Sequence, residues 1–268
     1  MADSTRMQRD AYHRFTERLR EGLSADARVL GLVALGSMSG EPPAPDEWSD
    51  HDFFVITRAG EQERMRTDLS WLPDAGQIVL SYRETPHGVK VLYRNAHLLE
   101  FAVFDLEELS LAKVNRYRTL LDRSGIEERM RALRERTTGE VAERRPGDRW
   151  LSGQFLAALL VGAGRHRRGE RVGGRAQLQA ATVHLAQLLA RARSGEGLGV
   201  LDSLDPLRRF EQAYPELGRE LDDALGRPPP EAALRLLRIA RRELAQRIRE
   251  FPDEAAAVLE PLLAGNAR

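Results

Sequence analysis

The amino-acid sequence predicts an α+β fold, an N-terminal mixed β-sheet with helices, followed by a C-terminal α-helical bundle. Three observations carry that expectation. Between residues 29 and 121, short apolar or alternating runs of strand length are separated by turn-forming residues. Connections this short favour a mixed or antiparallel sheet with helices packed on it. From residue 150 onward, apolar residues recur instead every three or four positions, the helical period. Between these halves, residues 126–149 are dense in Glu and Arg and contain Pro146-Gly147, an exposed charged helix running into a linker. The expected division is 1–125, 126–149 and 150–268.

The elements follow in order. Met7, Ala11, Phe15, Leu19 and Leu23 recur every four residues, as on one face of a helix ahead of the first strand. Residues 29–35 read as that strand and 53–56 as the core of the second. Residues 61–70 are charged and helical, ending near Trp71-Leu72-Pro73. Residues 77–82 and 89–93 alternate around Thr85-Pro86-His87-Gly88, a hairpin signature. Residues 97–104 form another strand, and 117–121 a short edge strand. In the second half, Trp150, Leu151, Phe155, Leu159 and Leu160 mark one amphipathic face, and Leu178, Ala181, Leu185, Leu188 and Leu189 another. Pro228-Pro229-Pro230 ends one helix and starts the next, which carries Leu234, Leu237, Ile239, Leu244 and Ile248. The alternating Arg and Glu of these helices read as solvated faces with pairing four residues apart.

Composition narrows the class. A chain of 268 residues holds two modest domains. It has no cysteine, which excludes disulfides, thiolate metal sites and a cysteine nucleophile. No run reaches the eighteen apolar residues that span a bilayer, and the polar start MADSTRMQRDAYHRF does not read as a signal peptide. A cytoplasmic protein without a membrane partner is expected. The 41 basic and 41 acidic residues cancel, which suits a small-molecule partner better than a long nucleic-acid backbone.

One stretch concentrates the chemistry. VLGLVALGS ends in Gly36-Ser37; a loop of twelve residues follows, and then DHDFFVIT begins with Asp50-His51-Asp52. Alternate side chains of a strand face the same way, so Asp50 and Asp52 project together while His51 points to the other side. Two converging carboxylates repel unless a cation lies between them, and hard Mg²⁺ suits oxygen donors. Gly36 lets backbone approach an oxyanion closely, and Ser37 offers a hydroxyl and an N–H to phosphate oxygens. Glu100, amid Leu98, Leu99, Phe101 and Val103, is a carboxylate poorly suited to a core and in need of a partner, whether a metal or an arginine.

Leu35-Gly36-Ser37 with Ser49-Asp50-His51-Asp52-Phe53 resembles the signature of the DNA polymerase β-type nucleotidyltransferase superfamily. Within it the chain is most similar to the bacterial aminoglycoside and lincosamide nucleotidyltransferases, which pair a catalytic domain with a helical one. The motifs cover roughly the first 125 residues. The resemblance implies that Asp50, Asp52 and Glu100 are the catalytic, metal-holding carboxylates, Glu100 as metal ligand or as general base. It implies that Gly36 and Ser37 bind the nucleotide. Implied cofactors are Mg²⁺, two ions, with ATP or another NTP as co-substrate. The implied reaction passes a nucleoside monophosphate, AMP from ATP, to a hydroxyl of a small molecule such as an antibiotic held between the domains, with Glu170 as a candidate contact to a cationic one. Many members carry a basic residue soon after Gly-Ser, where this chain has Met38 and Ser39. A toxin–antitoxin-type protein adenylyltransferase and a non-catalytic nucleotide or small-molecule sensor are the alternative functions, and a homodimer stays open.

Other features invite plainer readings. Gly162-Ala163-Gly164 with Gly169 follows a helical pattern rather than a strand, so it is not a dinucleotide fingerprint. His184, among Leu and Ala at helical spacing, reads as a packed histidine. The basic cluster Arg165, His166, Arg167 and Arg168 reads as a helix C-terminal cap or as a phosphate contact.

Overall fold

The structure is a computed structural model that describes residues 2–40, 44–193, 195 and 199–265. The chain divides into two compact units, Met1–Glu140 and Val141–Arg268. The first runs through α1 (Ala2–Ala25), β1 (Val29–Leu35), β2 (His51–Thr57), α2 (Gln62–Thr67), β3 (Ile78–Arg83), β4 (Gly88–Tyr93), β5 (Leu98–Phe104), β6 (Tyr117–Asp122) and most of α3 (Ile126–Glu143). Its sheet has the order β3-β4-β5-β2-β1-β6. Every neighbouring pair is antiparallel except β2 and β5, which run parallel. This is the mixed sheet that the short connections predict, with β6 on its edge as expected.

Alternation along the strands sorts the side chains onto two faces. Leu32, Ala34, Phe53, Val55, Leu99, Phe101 and Val103 pack on one face with Tyr12, Phe15, Leu19 and Leu23 of α1. Val33, Ile56, Ala102 and Phe104 pack on the other with Ile126, Met130 and Leu133 of α3. On the first face, α2 is fastened by Arg66, 7% exposed, whose Nε donates to the Val103 carbonyl at 3.0 Å and whose guanidinium meets Glu108 at 2.5 Å. That pairing satisfies a charge that burial would otherwise penalise.

Three sequence expectations need correction here. Ala11 is exposed, and the buried stripe of α1 runs through Tyr12, Phe15, Thr16, Leu19 and Leu23; the side chain of Met7 lies outside the described residues. The helix expected over 61–70 stops at Thr67, because Asp68 turns extended and its carboxylate takes up the Ser70 N–H at 3.0 Å. The stretch read as a charged helix and linker, 126–149, is helical through Glu143, and Ile126, Met130, Leu133 and Thr137 are buried. Their spacing of four, three and four is an amphipathic stripe, thinned by the surrounding Glu and Arg until composition hides it.

The second unit holds α4 (Asp148–Arg167), α5 (Arg171–Ala192), α6 (Phe210–Ala213), α7 (Pro215–Leu225), α8 (Pro229–Leu244) and α9 (Asp253–Leu263). All five residues of the Leu178–Leu189 stripe are buried, whereas Trp150 and Leu160 are exposed and leave the α4 stripe to Leu151, Phe155 and Leu159. Ile248 is buried in the turns beyond α8. Gly162 of the Gly162-Ala163-Gly164 run serves packing. A Cβ on Gly162 would stand 3.1 Å from the Gly174 carbonyl of α5, and one on Gly174 would stand 2.9 Å from the Gly162 carbonyl. Arg167 caps a helix other than its own, donating to the Leu262 carbonyl at 2.8 Å at the end of α9. Arg168 turns to Glu170 at 3.1 Å.

The burial of Ile126 gives a direct check that α3 belongs to the sheet's core. Ile126→Ala is expected to destabilise the first unit by about 2–5 kcal/mol, measured by urea unfolding. A loss of only a few tenths would return α3 to the role of an exposed helix.

Candidate active site

At one end of β2 the sheet brings together the three carboxylates that the sequence singles out. Asp50, Asp52 and Glu100 are each partly exposed, and each offers an oxygen within 4.8 Å of the others. Parallel pairing produces the cluster: Asp52 lies directly beside Glu100, just as Phe53 lies beside Phe101 in the next register pair. Those two phenyl rings stack with centroids 5.0 Å apart, on the opposite face of the sheet from the carboxylates. A hard divalent cation fits this all-oxygen donor set, because converging carboxylates need positive charge between them.

Gly36 abuts the cluster. Its φ of 49° is left-handed, and a Cβ there would stand 2.6 Å from Oδ2 of Asp52. A side chain at this position would therefore displace a carboxylate of the site besides straining the backbone. After Gly36 the chain makes one tight turn, Gly36–Ser39, in which Ser39 Oγ donates to the Gly36 carbonyl at 2.8 Å and Met38 is buried. Ser37 is placed differently from the expectation that its hydroxyl meets phosphate. Its Oγ lies 2.8 Å from the Tyr12 hydroxyl and 3.2 Å from the Asp50 carbonyl.

Tyr12 is one of two residues that the sequence reading passed over. Its hydroxyl reaches the Asp50 carbonyl at 3.0 Å as well as Ser37, so a single α1 side chain joins the Gly-Ser turn to the aspartate strand. Burial, with Asp50 and Asp52 nearby, pushes its phenol well above the usual tyrosine range. The signal in the sequence was its place, three residues before Phe15 on a helix face that packs inward. The second is Lys90 of β4, paired in register with Glu100. Its ammonium lies 3.0 Å from Glu100 Oε1 and 2.9 Å from Glu84, and these bonds raise its pKa. A lysine between Val89 and Val91 of an alternating strand was the available clue. The Lys90 contact gives Glu100 a lysine where an arginine was the expected ion-pair partner, and the carboxylate keeps a third of its side-chain surface exposed.

His51 points away from the carboxylates, as strand alternation requires. It is fully buried, stacked on the Tyr12 ring at 3.8 Å. Its Nδ1 lies 2.8 Å from His97 Nε2, and its Nε2 lies 3.0 Å from Thr16 Oγ1. Burial, reinforced by His97, pushes its pKa down to about 3. Next to this layer, a cavity of 570 Å³ opens beside Asp50, lined by Tyr12, Phe15, the exposed Trp48, Asp74 and His97 among others. His184, by contrast, is half-buried against Trp150 in the second unit.

No protein-family model matches the chain, and no curated protein does. Among solved structures it is similar to an aminoglycoside 6-adenyltransferase from Bacillus subtilis, at 11% identity and a TM-score of 0.38, over 94% of this chain and 97% of that one. It is also similar to a nucleotidyltransferase-like protein from Exiguobacterium sibiricum, at 13% identity and a TM-score of 0.31, over 97% of this chain and 89% of that one.

Two outcomes follow from the geometry. Gly36→Ala is expected to weaken Mn²⁺ binding at least tenfold, read by electron paramagnetic resonance of the free ion, because its methyl group would push Asp52 aside; unchanged affinity would separate the turn from the metal site. The second concerns pH. Folded His51 resists protonation down to about pH 3, whereas unfolded histidine titrates near 6.5. The unfolded chain therefore binds the extra proton first, and stability is lost as pH falls from 6.5 toward 3. Melting temperatures over that window should fall less steeply in His51→Asn than in the native protein.

Proposed function

We propose that the protein is a metal-dependent nucleotidyltransferase that passes a nucleoside monophosphate, AMP from ATP, to a hydroxyl of a small molecule. The observation that carries this reading is the cluster of Asp50, Asp52 and Glu100, assembled on two adjacent strands with the Gly36 backbone against Asp52. An acidic cluster alone is common. Its junction with a glycine turn whose backbone abuts Asp52 is what favours phosphoryl chemistry.

Asp50, Asp52 and Glu100 are the residues that would hold divalent cations. Bound there, the cations supply positive charge against the triphosphate and the charge that develops on its reacting phosphorus. The rest falls to the chain. The Gly36–Ser39 turn receives phosphate oxygens on backbone N–H groups, and Tyr12 fixes that turn relative to Asp50. The acceptor oxygen bonds to the α-phosphorus as its O–H bond breaks, the α–β phosphoanhydride opens, and pyrophosphate leaves. Because Oε1 of Glu100 accepts from Lys90, the other oxygen is left for one duty, metal ligand or acceptor of the hydroxyl proton. Positioning of the two reactants provides much of the acceleration. The acceptor class offered for test is the aminoglycosides and lincosamides, on the strength of the motif resemblance.

The direct test incubates the protein with Mg²⁺, each of four NTPs and a panel of aminoglycosides, lincosamides and a metabolite extract, read by mass spectrometry. An acceptor heavier by one nucleoside monophosphate, with pyrophosphate released, is the expected product. Modification of added proteins instead would shift the reading to protein adenylylation, and no transfer from any NTP would overturn it.

Variants then assign the carboxylates. Asp50→Asn and Asp52→Asn should lower transfer by orders of magnitude with melting temperature unchanged or slightly raised, since like charges are relieved. Glu100→Gln should cost less than about 1 kcal/mol, as befits a partly exposed pair. Loss of transfer with Mn²⁺ affinity retained would make Glu100 the proton acceptor; loss of both would make it a ligand.

A further inference from the structure

The Gly-Ser turn has charge of opposite sign on its two sides. β1 lies between β2 and β6, and Ala34, two residues before the turn, faces Phe53 on one side and Arg118 on the other. The β2 side carries Asp50 and Asp52, with Glu100 beyond them. On the β6 side Arg118 reaches across the turn. Its Nη2 donates to the Met38 carbonyl at 3.3 Å, and its guanidinium lies 3.6–3.9 Å from the place a Cβ on Gly40 would occupy.

Arg118 is exposed, and among the described residues it has no carboxylate partner. The bond to Met38 occupies one of the five N–H donors of a guanidinium, whose planar fork suits phosphate oxygens. The cation nearest the carboxylates on the opposite side, Lys90, is held by Glu84 and Glu100. The turn itself supplies no cation: Met38 is 2% exposed, and Ser39, 6% exposed, spends its hydroxyl on Gly36.

A metal-bound nucleoside triphosphate is polarised in the same sense as the turn. Its dication belongs on the carboxylate side, and the oxyanions the metal leaves uncovered belong on the arginine side. We propose that Arg118, delivered from β6, grips the terminal phosphates of the nucleotide in place of a basic residue within the turn. This assignment rests on the nucleotidyltransferase reading.

The test measures two affinities on the full chain, for Mg-ATP by calorimetry and for Mn²⁺ alone by electron paramagnetic resonance, in the native protein, Arg118→Gln and Arg118→Lys. Arg118→Gln is expected to weaken Mg-ATP binding about ten- to hundredfold, the range of charge-assisted hydrogen bonds. Its Mn²⁺ affinity should stay within about twofold, and Arg118→Lys should recover part of the loss. Equal Mg-ATP affinity in the native protein and Arg118→Gln would overturn the assignment and leave the nucleotidyltransferase reading standing. Parallel loss of Mn²⁺ binding would also overturn it, since Arg118 would then act through the fold. If the native protein binds Mn²⁺ but no metal-nucleotide, the nucleotidyltransferase reading itself fails and takes this assignment with it.

Discussion

The register of one strand pair, β2 beside β5, is the constraint on which the candidate site depends. Phe53 and Phe101 form one register pair and Asp52 and Glu100 the next. The stacked rings lie in the core on the α1 face, and burying them fixes which residues of the two strands stand level. A slip of one residue would turn the whole apolar set of a strand outward, so the register is strongly specified. On the opposite face the same register forces two carboxylates to within a strand spacing of each other, with Asp50 close by. Aromatic burial thus holds in place a concentration of negative charge that the carboxylates, left to themselves, would disperse. The energy scales make this workable: partly exposed charges repel in a largely aqueous dielectric, whereas each fully buried large apolar side chain contributes about 1.5–3 kcal/mol.

The layer behind the aspartates serves the same end. His51, between Asp50 and Asp52 in sequence, is packed under Tyr12 and Phe15 and joined to His97 and Thr16. Burial with three ring partners makes it a structural pin for the strand start. Tyr12, stacked on that pin, extends its hydroxyl to Ser37 and to the Asp50 carbonyl. One residue of α1 therefore couples the N-terminal helix, the Gly-Ser turn and the aspartate strand. The position of Gly36 against Asp52 then follows from the pairing of β1 with β2, whose register sets Ala34 beside Phe53.

The second unit obeys simpler rules. Leu178, Ala181, Leu185, Leu188 and Leu189 supply one apolar stripe, and α4 approaches α5 closely because Gly162 and Gly174 present backbone in place of side chains. Ion pairs such as Arg227 with Asp223 at 3.1 Å and Arg242 with Glu220 at 2.8 Å dress its surface. Pairs of this kind contribute little individually. They account for the dense Arg and Glu content of these helices without a charged ligand.

The sequence by itself determined the strands of the first unit, the helical character of the second and the three carboxylates of the candidate site. These are local properties: a period of two or of 3.6, a glycine at a strand end, a charge where an apolar residue is expected. The apolar stripe of α3 was hidden because Ile126, Met130 and Leu133 are diluted by charged neighbours, and the true inward face of α1 because Ala11 fitted the same rhythm as Phe15. Tertiary structure alone decided that β2 and β5 run parallel, and so that Glu100 meets Asp52 from 48 residues away, that Lys90 stands next to it, and that Arg118 flanks the turn. The physical reason is that strand order and register are chosen by burial summed over both faces of the sheet, and no single segment carries that sum.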